Sequence, residues 1–223
     1  MKNYKNNLEL LSKNHVYSHE MEHDACGVGL IASTEGKKSR AVVEHGIEAL
    51  KAVWHRGAVD ADGKTGDGAG IHLEIPKDFF IEKIQVTGHH HDNSEICVGM
   101  IFLPKNDYSS QENSKTIVES ELTKNDFNIY GWRQVPVNPK VLGEKALQTM
   151  PEIIQVLFKS NNPNLLDKEL ERKIYETRKK IENSANRLSL NNFYVCSMSS
   201  KSIIYKGMFL AEAISDFYLD LKD

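Results

Sequence analysis

HDACGVGLI, residues 23–31, puts a thiol directly before the first apolar run of the chain. Cys26 is followed by glycine at 27 and 29 and then by aliphatic residues. The stretch before it, MKNYKNNLELLSKNHVYSHEMEHDA, is polar, lacks amphipathic periodicity and has LELL as its apolar patch. That patch is far shorter than the h-region of about 7–15 residues in a secretory signal. Residues 1–25 therefore read as a tail or leader on an intracellular, cytoplasmic protein. CGVGLIAS reads as a buried strand with little side-chain bulk at its start.

Working outward, Ser39 to Trp54 has Val43, Ile47, Leu50 and Trp54 at steps of three and four, the signature of a helix with one apolar face. HRGAVDADGKTGDGAG follows as a glycine-rich loop, then IHLEIP as an alternating strand, QVTGHHHDNSE as a polar connection and EICVGMIFLP as a strand. SKTIVESELTK reads as a short helix, NIYGWRQVPV and EIIQVLF as strands, and VLGEKALQTM as a helical turn between them. Asp167 to Asn186 reads as a long charged helix with Leu170, Ile174 and Ile181 inward. NNFYVCSMSSKSIIYKGMF reads as a β-hairpin. Helices mixed with hairpin-like strands predict an α+β fold.

The totals limit what such a fold can do. A chain of 223 residues with 40% hydrophobic residues fits one globular domain plus an extension. A net charge of −3 leaves no basic stripe for nucleic acid, and no run nears the roughly 20 apolar residues of a membrane span. The cysteines, Cys26, Cys97 and Cys196, form no C-x-x-C pair, so no metal-ligand pattern is visible. Cys97 and Cys196 lie in apolar runs and read as small buried hydrophobes. The histidines at 89–91 are adjacent and cannot converge on one point of a regular element, so they read as a solvated loop.

The glycine-rich loop fails both phosphate-binding patterns. A P-loop ending in Gly63-Lys64-Thr65 needs glycine at 58, where Ala58 stands; a dinucleotide fingerprint from Gly66 and Gly68 needs glycine at 71, where Ile71 stands. The order is also reversed, with a helix before the loop and a strand after it. What remains is a loop whose glycines supply positive φ, or let the backbone pass close to another segment or a small substrate.

Cys26 has a chemistry of its own. A nucleophilic thiol needs a base, and histidine is the ordinary one; His23, His45 and His55 are near in sequence only. Cleavage between Ala25 and Cys26 would instead place a free α-amine, with a pKa of about 7.7–8.0, beside a thiol at about 8.5. An amide nitrogen cannot act this way because its lone pair is delocalised.

MEHDACGVGLIAS, ALKAVWHRGAVDADGKTGDGAGI, IPKDFF, VGMIFLP, GWRQVPV, PEIIQVLF, ERKIYETRKKIE and FYVCSMSSKSIIYKGM, in that order, resemble the amino-terminal glutaminase domain of glutamate synthase large chains. The resemblance implies a class II glutamine amidotransferase of the N-terminal nucleophile hydrolase type, an αββα sandwich. It implies that residues 1–25 are a propeptide and that residues 26–223 are the amino-terminal part of the domain. Cys26 matches the nucleophile, Gly27 its neighbour, Arg56 the arginine shaping the region around it, and Asp67 the loop beside the active site. Glutamine is the implied substrate, with release of ammonia and glutamate through a thioester. The implied partners are the remaining glutamate synthase domains and a small electron-transfer subunit. FMN and an iron–sulfur cluster belong to those domains, with no cofactor or metal in this chain. A plastid is a second compartment compatible with the family.

The sequence also departs from the family. The Arg-Phe-Ser-Thr-Asn and His-Asn-Gly-Glu segments that clamp glutamine and supply oxyanion donors do not occur in residues 1–223. The sandwich is therefore expected to be incomplete on its C-terminal side, the substrate-binding segments to lie beyond Asp223, and this chain alone to be inactive. Two other readings stay open: a short stand-alone binding or regulatory module completed by a partner, and an unrelated cysteine hydrolase with a histidine base.

Overall fold

The computed structural model describes residues 2–14, 27–53, 57–165 and 167–222. The central element is a four-stranded antiparallel sheet in the order β3 (Phe127–Gln134), β4 (Glu152–Ser160), β2 (Cys97–Leu103), β5 (Tyr194–Ser199). A two-stranded antiparallel sheet joins β1 (Ala69–Glu74) to β6 (Ser202–Gly207), pairing Ile71 with Tyr205 and Leu73 with Ile203.

Alternation along the strands makes two cores. Val98, Met100, Ile153 and Leu157 face the core shared with β1, β6, α2 (Arg40–Ala52) and α3 (Lys77–Val86). Cys97, Ile101, Leu103, Val156 and Phe158 face the opposite core, covered by α4 (Tyr108–Lys124) and α6 (Asp167–Arg187). Leu170, Ile174, Thr177, Ile181 and Ala185 put α6 on that face at steps of three and four. The Asp107 carboxylate starts α4 by accepting the Ser110 N–H at 3.0 Å. Register shifts at Tyr130 in β3 and at Cys196 in β5 let residues on either side of each bulge keep their faces. The α+β expectation holds.

Several details differ from the sequence reading. Residues 27–33 form no strand; Val28 and Leu30 are 88% and 89% exposed. Fully burying an aliphatic side chain gains about 1.5–3 kcal/mol, but only where a sheet edge receives the segment, and neither described sheet pairs with it. Strand-like composition records fit to a half-buried surface and cannot name the partner. The hairpin is also altered. β5 and β6 are joined by a tight turn but enter different sheets. The Glu171 carboxylate holds the turn, accepting the Ser200 N–H and both the Ser199 and Ser200 hydroxyls. Residues 77–86 are helical, so the polar connection starts at Thr87. Residues 2–14 of the expected tail form a helix, α1 (Lys2–Asn14), whose described side chains are exposed.

The last segment ties these parts together. After β6 the chain turns through α7 (Ile214–Phe217), α5 (Glu144–Thr149) having come earlier, between β3 and β4. Tyr218 bridges Val137, and the Asn138 and Leu219 N–H groups donate to Phe217 and Pro136 carbonyls at 2.8 and 3.1 Å. Arg133 grips Asp220 through two bonds of 2.8 and 2.5 Å, with the two side chains 14% and 3% exposed. Arg133 also donates to Gln155 Oε1 at 2.8 Å, and Arg40 reaches the Leu221 carbonyl at 2.6 Å. Removing one partner of a buried pair strands the other charge at a cost of about 3–5 kcal/mol. Asp220→Ala is expected to lose stability in that range in urea titration, and the Arg133→Met/Asp220→Leu double variant to lose less. A loss under about 1 kcal/mol, the worth of an exposed pair, would contradict the packing described.

Candidate functional site

The glycine-rich loop is a small hairpin built on its own polar groups. Val59 bridges Gly66, the Asp60 N–H donates to the Thr65 carbonyl at 2.9 Å, and the Asp67 N–H to Ala58 at 3.2 Å. Positive φ occurs at Gly63 (69°) and Gly68 (132°), where glycine avoids the Cβ penalty. The Asp62 carboxylate closes the turn, accepting the Thr65 hydroxyl at 2.6 Å and the N–H groups of Thr65 and Lys64 at 2.7 and 2.9 Å. These bonds, the hydroxyl foremost, hold its pKa well below the ordinary carboxylate range. The clasp therefore holds at and above that range and loosens only as pH falls below it.

Two distant segments grip the loop from opposite sides. On one side, α5 begins at Gly143, which has no side chain to cap it. The buried Thr65 hydroxyl accepts the Ala146 N–H at 3.3 Å instead, and Lys145 pairs with Asp60 at 2.7 Å. A Cβ at 143 would stand 2.3 Å from both Asp62 Oδ2 and Thr65 Oγ1. On the other side, a Cβ at 66 would stand 2.6 Å from the Phe209 carbonyl oxygen and 3.0 Å from the Leu210 nitrogen. The glycines thus serve close backbone approach as well as positive φ.

The gripped loop walls a cavity of about 280 Å³. Gly27, Gly57, Asp67 and Gly68 line it together with Phe209, Leu210 and the last turn of α2. Two candidates from the sequence, Gly27 and Asp67, therefore meet across it; Cys26 and Arg56 lie outside the described residues. A second cavity of about 290 Å³, across Phe209, is lined by apolar groups such as Phe102, Met150 and Phe217 and holds neither candidate. His45 sits exposed on α2 beside Glu48.

The other thiols are unsuited to attack. Burial pushes Cys97 far above its ordinary pKa and Cys196 up to about 11, so neither is a thiolate near neutral pH. They lie on opposite faces of the four-stranded sheet. Among the described residues no group of three His, Cys, Asp or Glu could hold a metal ion, so these residues do not fit an iron–sulfur cluster.

Sequence reading missed Thr65 and the wall at 209–210. The Thr65–Ala146 contact spans 81 residues, and Phe209 lies at the far end of the chain. The sole local hint was Gly66, a glycine that no turn requires. Gly66→Ala and Gly143→Ala should each lose about 1–3 kcal/mol through overpacking. Gly29→Ala, where a Cβ meets nothing within 4 Å, should stay within about 0.5 kcal/mol of the parent. Equal denaturation midpoints for all three variants would contradict the gripped loop.

The family model for class-II glutamine amidotransferases matches residues 26–223. The chain is 51% identical over 220 residues to the glutamate synthase [NADPH] large chain of Azospirillum brasilense, covering 99% of this chain and 14% of that relative. It is 40% identical over 204 residues to ferredoxin-dependent glutamate synthase 1 of Arabidopsis thaliana, covering 91% and 12%. It is 38% identical over 203 residues to ferredoxin-dependent glutamate synthase 2 of Synechocystis, covering 91% and 13%. The chain thus spans 12–14% of the length of these relatives. With its α+β architecture and a match over residues 26–223, the chain belongs to the class-II glutamine amidotransferases, a family of Ntn-hydrolase fold.

Proposed function

We propose that this chain is the nucleophile-bearing part of the glutaminase domain of a glutamate synthase, with Cys26 as its catalytic residue once residues 1–25 are removed. The observation that carries the reading is that the family match begins at Cys26, while the residue after it shares a cavity with Asp67 of the glycine-rich loop. Identity along nearly the whole chain to a glutamate synthase large chain favours this over a stand-alone binding module.

The α-amine of Cys26 takes the thiol proton, and the thiolate attacks the side-chain carboxamide of glutamine. The tetrahedral species collapses to a γ-glutamyl thioester as ammonia leaves with a proton from the ammonium. Water, deprotonated by the same amine, then releases glutamate and regenerates the thiol. Arg56 and Asp67 are assigned to the neighbourhood of the thiol. The clamp for glutamine and the oxyanion donors belong to segments that residues 1–223 do not include. Since losing even one oxyanion donor costs about 2.7–4 kcal/mol, residues 1–223 alone do not turn glutamine over at a useful rate. Ammonia passes to a reductive step that forms a second glutamate from 2-oxoglutarate, using FMN and an iron–sulfur cluster in other domains, with electrons from NADPH or ferredoxin through a partner. No helix among the described residues is long and apolar enough to cross a membrane, and the reading places the protein in the cytoplasm or a plastid.

The test is glutamate release from glutamine by the full polypeptide carrying this chain. Cys26→Ser should lower kcat by about 10⁴-fold or more. In the parent, kcat/KM should rise with pH as the α-amine deprotonates near about 7.7–8.0. Retained activity in Cys26→Ser, or in a form still bearing Ala25, would overturn the reading.

A further inference from the structure

Thr65 carries more contacts than a loop threonine needs. It is buried, 2% exposed, at the junction of three segments. Its hydroxyl donates to Asp62 Oδ2 at 2.6 Å and accepts the Ala146 N–H at 3.3 Å. Its own N–H donates to Asp62 Oδ1 at 2.7 Å. One side chain thereby closes the loop turn and fastens it to the first turn of α5. The next residue, Gly66, is pressed against the Phe209–Leu210 backbone, and the one after, Asp67, enters the cavity with Gly27.

The order of these contacts sets the geometry. Asp67 and Gly68 are placed by the Asp67 N–H bond to the Ala58 carbonyl within the same small hairpin and by the residues on either side. Toward the C-terminus, β1 fixes them through its pairing with β6. Toward the N-terminus, the fixed point is Thr65. The exposed pair Lys145–Asp60 cannot replace it, because such pairs are worth about 0–1 kcal/mol. A hydroxyl also matters in kind: the buried Ala146 N–H requires an acceptor while Asp62 takes a donor, and a single hydroxyl supplies both. Valine fills the space and supplies neither, whereas serine supplies both.

We infer that Thr65 is a positioning residue for the proposed glutaminase reaction: by tying the glycine-rich loop to α5, it sets the distance between the Asp67–Gly68 wall and the residue following Cys26. The inference rests on the reading under Proposed function. It predicts an effect on kcat more than on KM, because the wall shares its cavity with Gly27, the neighbour of the proposed nucleophile, while the proposed reading assigns the glutamine clamp to other segments. Misplacement of a reacting group by about 1 Å can cost about 100-fold in rate.

The experiment compares the parent full-length polypeptide with its Thr65→Val and Thr65→Ser variants. Rates are measured well below each variant's Tm and expressed per Cys26 thiol that reacts with iodoacetamide, and amide hydrogen exchange is followed across residues 57–68. Thr65→Val is expected to lower kcat about 10- to 100-fold, to change KM for glutamine by less than about twofold, and to speed exchange across 57–68 about tenfold or more. Thr65→Ser is expected to match the parent in all three. Faster exchange with parental kcat in Thr65→Val would show an anchored loop that does not position the reaction. Unchanged exchange would show that Thr65 is no anchor. Equal losses in Val and Ser variants would point to packing rather than the hydroxyl. Each of these overturns the inference while leaving the glutaminase reading standing. A parent with no Cys26-dependent glutamate release overturns both.

Discussion

The buried grip of Arg133 on Asp220 joins residues 87 positions apart and fixes the return of the last segment across the core. Everything around the cavity depends on that return. Asp220 lies within a stretch in which Phe217, Tyr218 and Leu221 are buried, and their packing sets where the chain leaves β6. The exit at Phe209–Leu210 is the surface against which Gly66 lies. From Gly66 the loop reaches Asp67, and from Asp67 the cavity reaches Gly27. A charge pair in one core is thus linked through backbone packing to the wall of a site in another part of the fold.

The same logic explains why the loop is rich in glycine and poor in phosphate-binding features. A phosphate cradle aims successive N–H groups into open space. Here the N–H groups of Asp60, Lys64, Thr65 and Asp67 are spent inside the loop. Gly63 and Gly68 turn the chain, and Gly66 lets it touch a neighbour. The loop is a spacer of fixed shape, with carboxylates directed inward to tie it and one, Asp67, left on the cavity.

Much of the fold was legible because both faces of the four-stranded sheet are buried. EICVGMIFLP and EIIQVLF declared themselves as dense apolar runs, and α6 showed its buried stripe at helical spacing. CGVGLIAS misled because its composition suits a strand while its partner is not encoded in it. SMSSKS misled because a tight turn between two strands normally keeps them paired. Here the strands part into two sheets, and the turn between them is tied to Glu171, on a helix well before it. The site was half legible. Gly27 and Asp67 stand out by motif, while Thr65 depends on an acceptor–donor match with Ala146 and Asp62 that exists only in three dimensions.

The chemistry turns on whether Cys26 is the first residue of the working protein and whether its thiol attacks a glutamine carbonyl equivalent. The direct measurement is peptide mass mapping of the native polypeptide after exposure to a glutamine-like diazoketone. The account predicts that the peptide Cys26–Lys37 begins at Cys26 and carries the adduct on its thiol. A peptide still joined to Ala25, or an unlabelled Cys26 alongside label elsewhere, would contradict it.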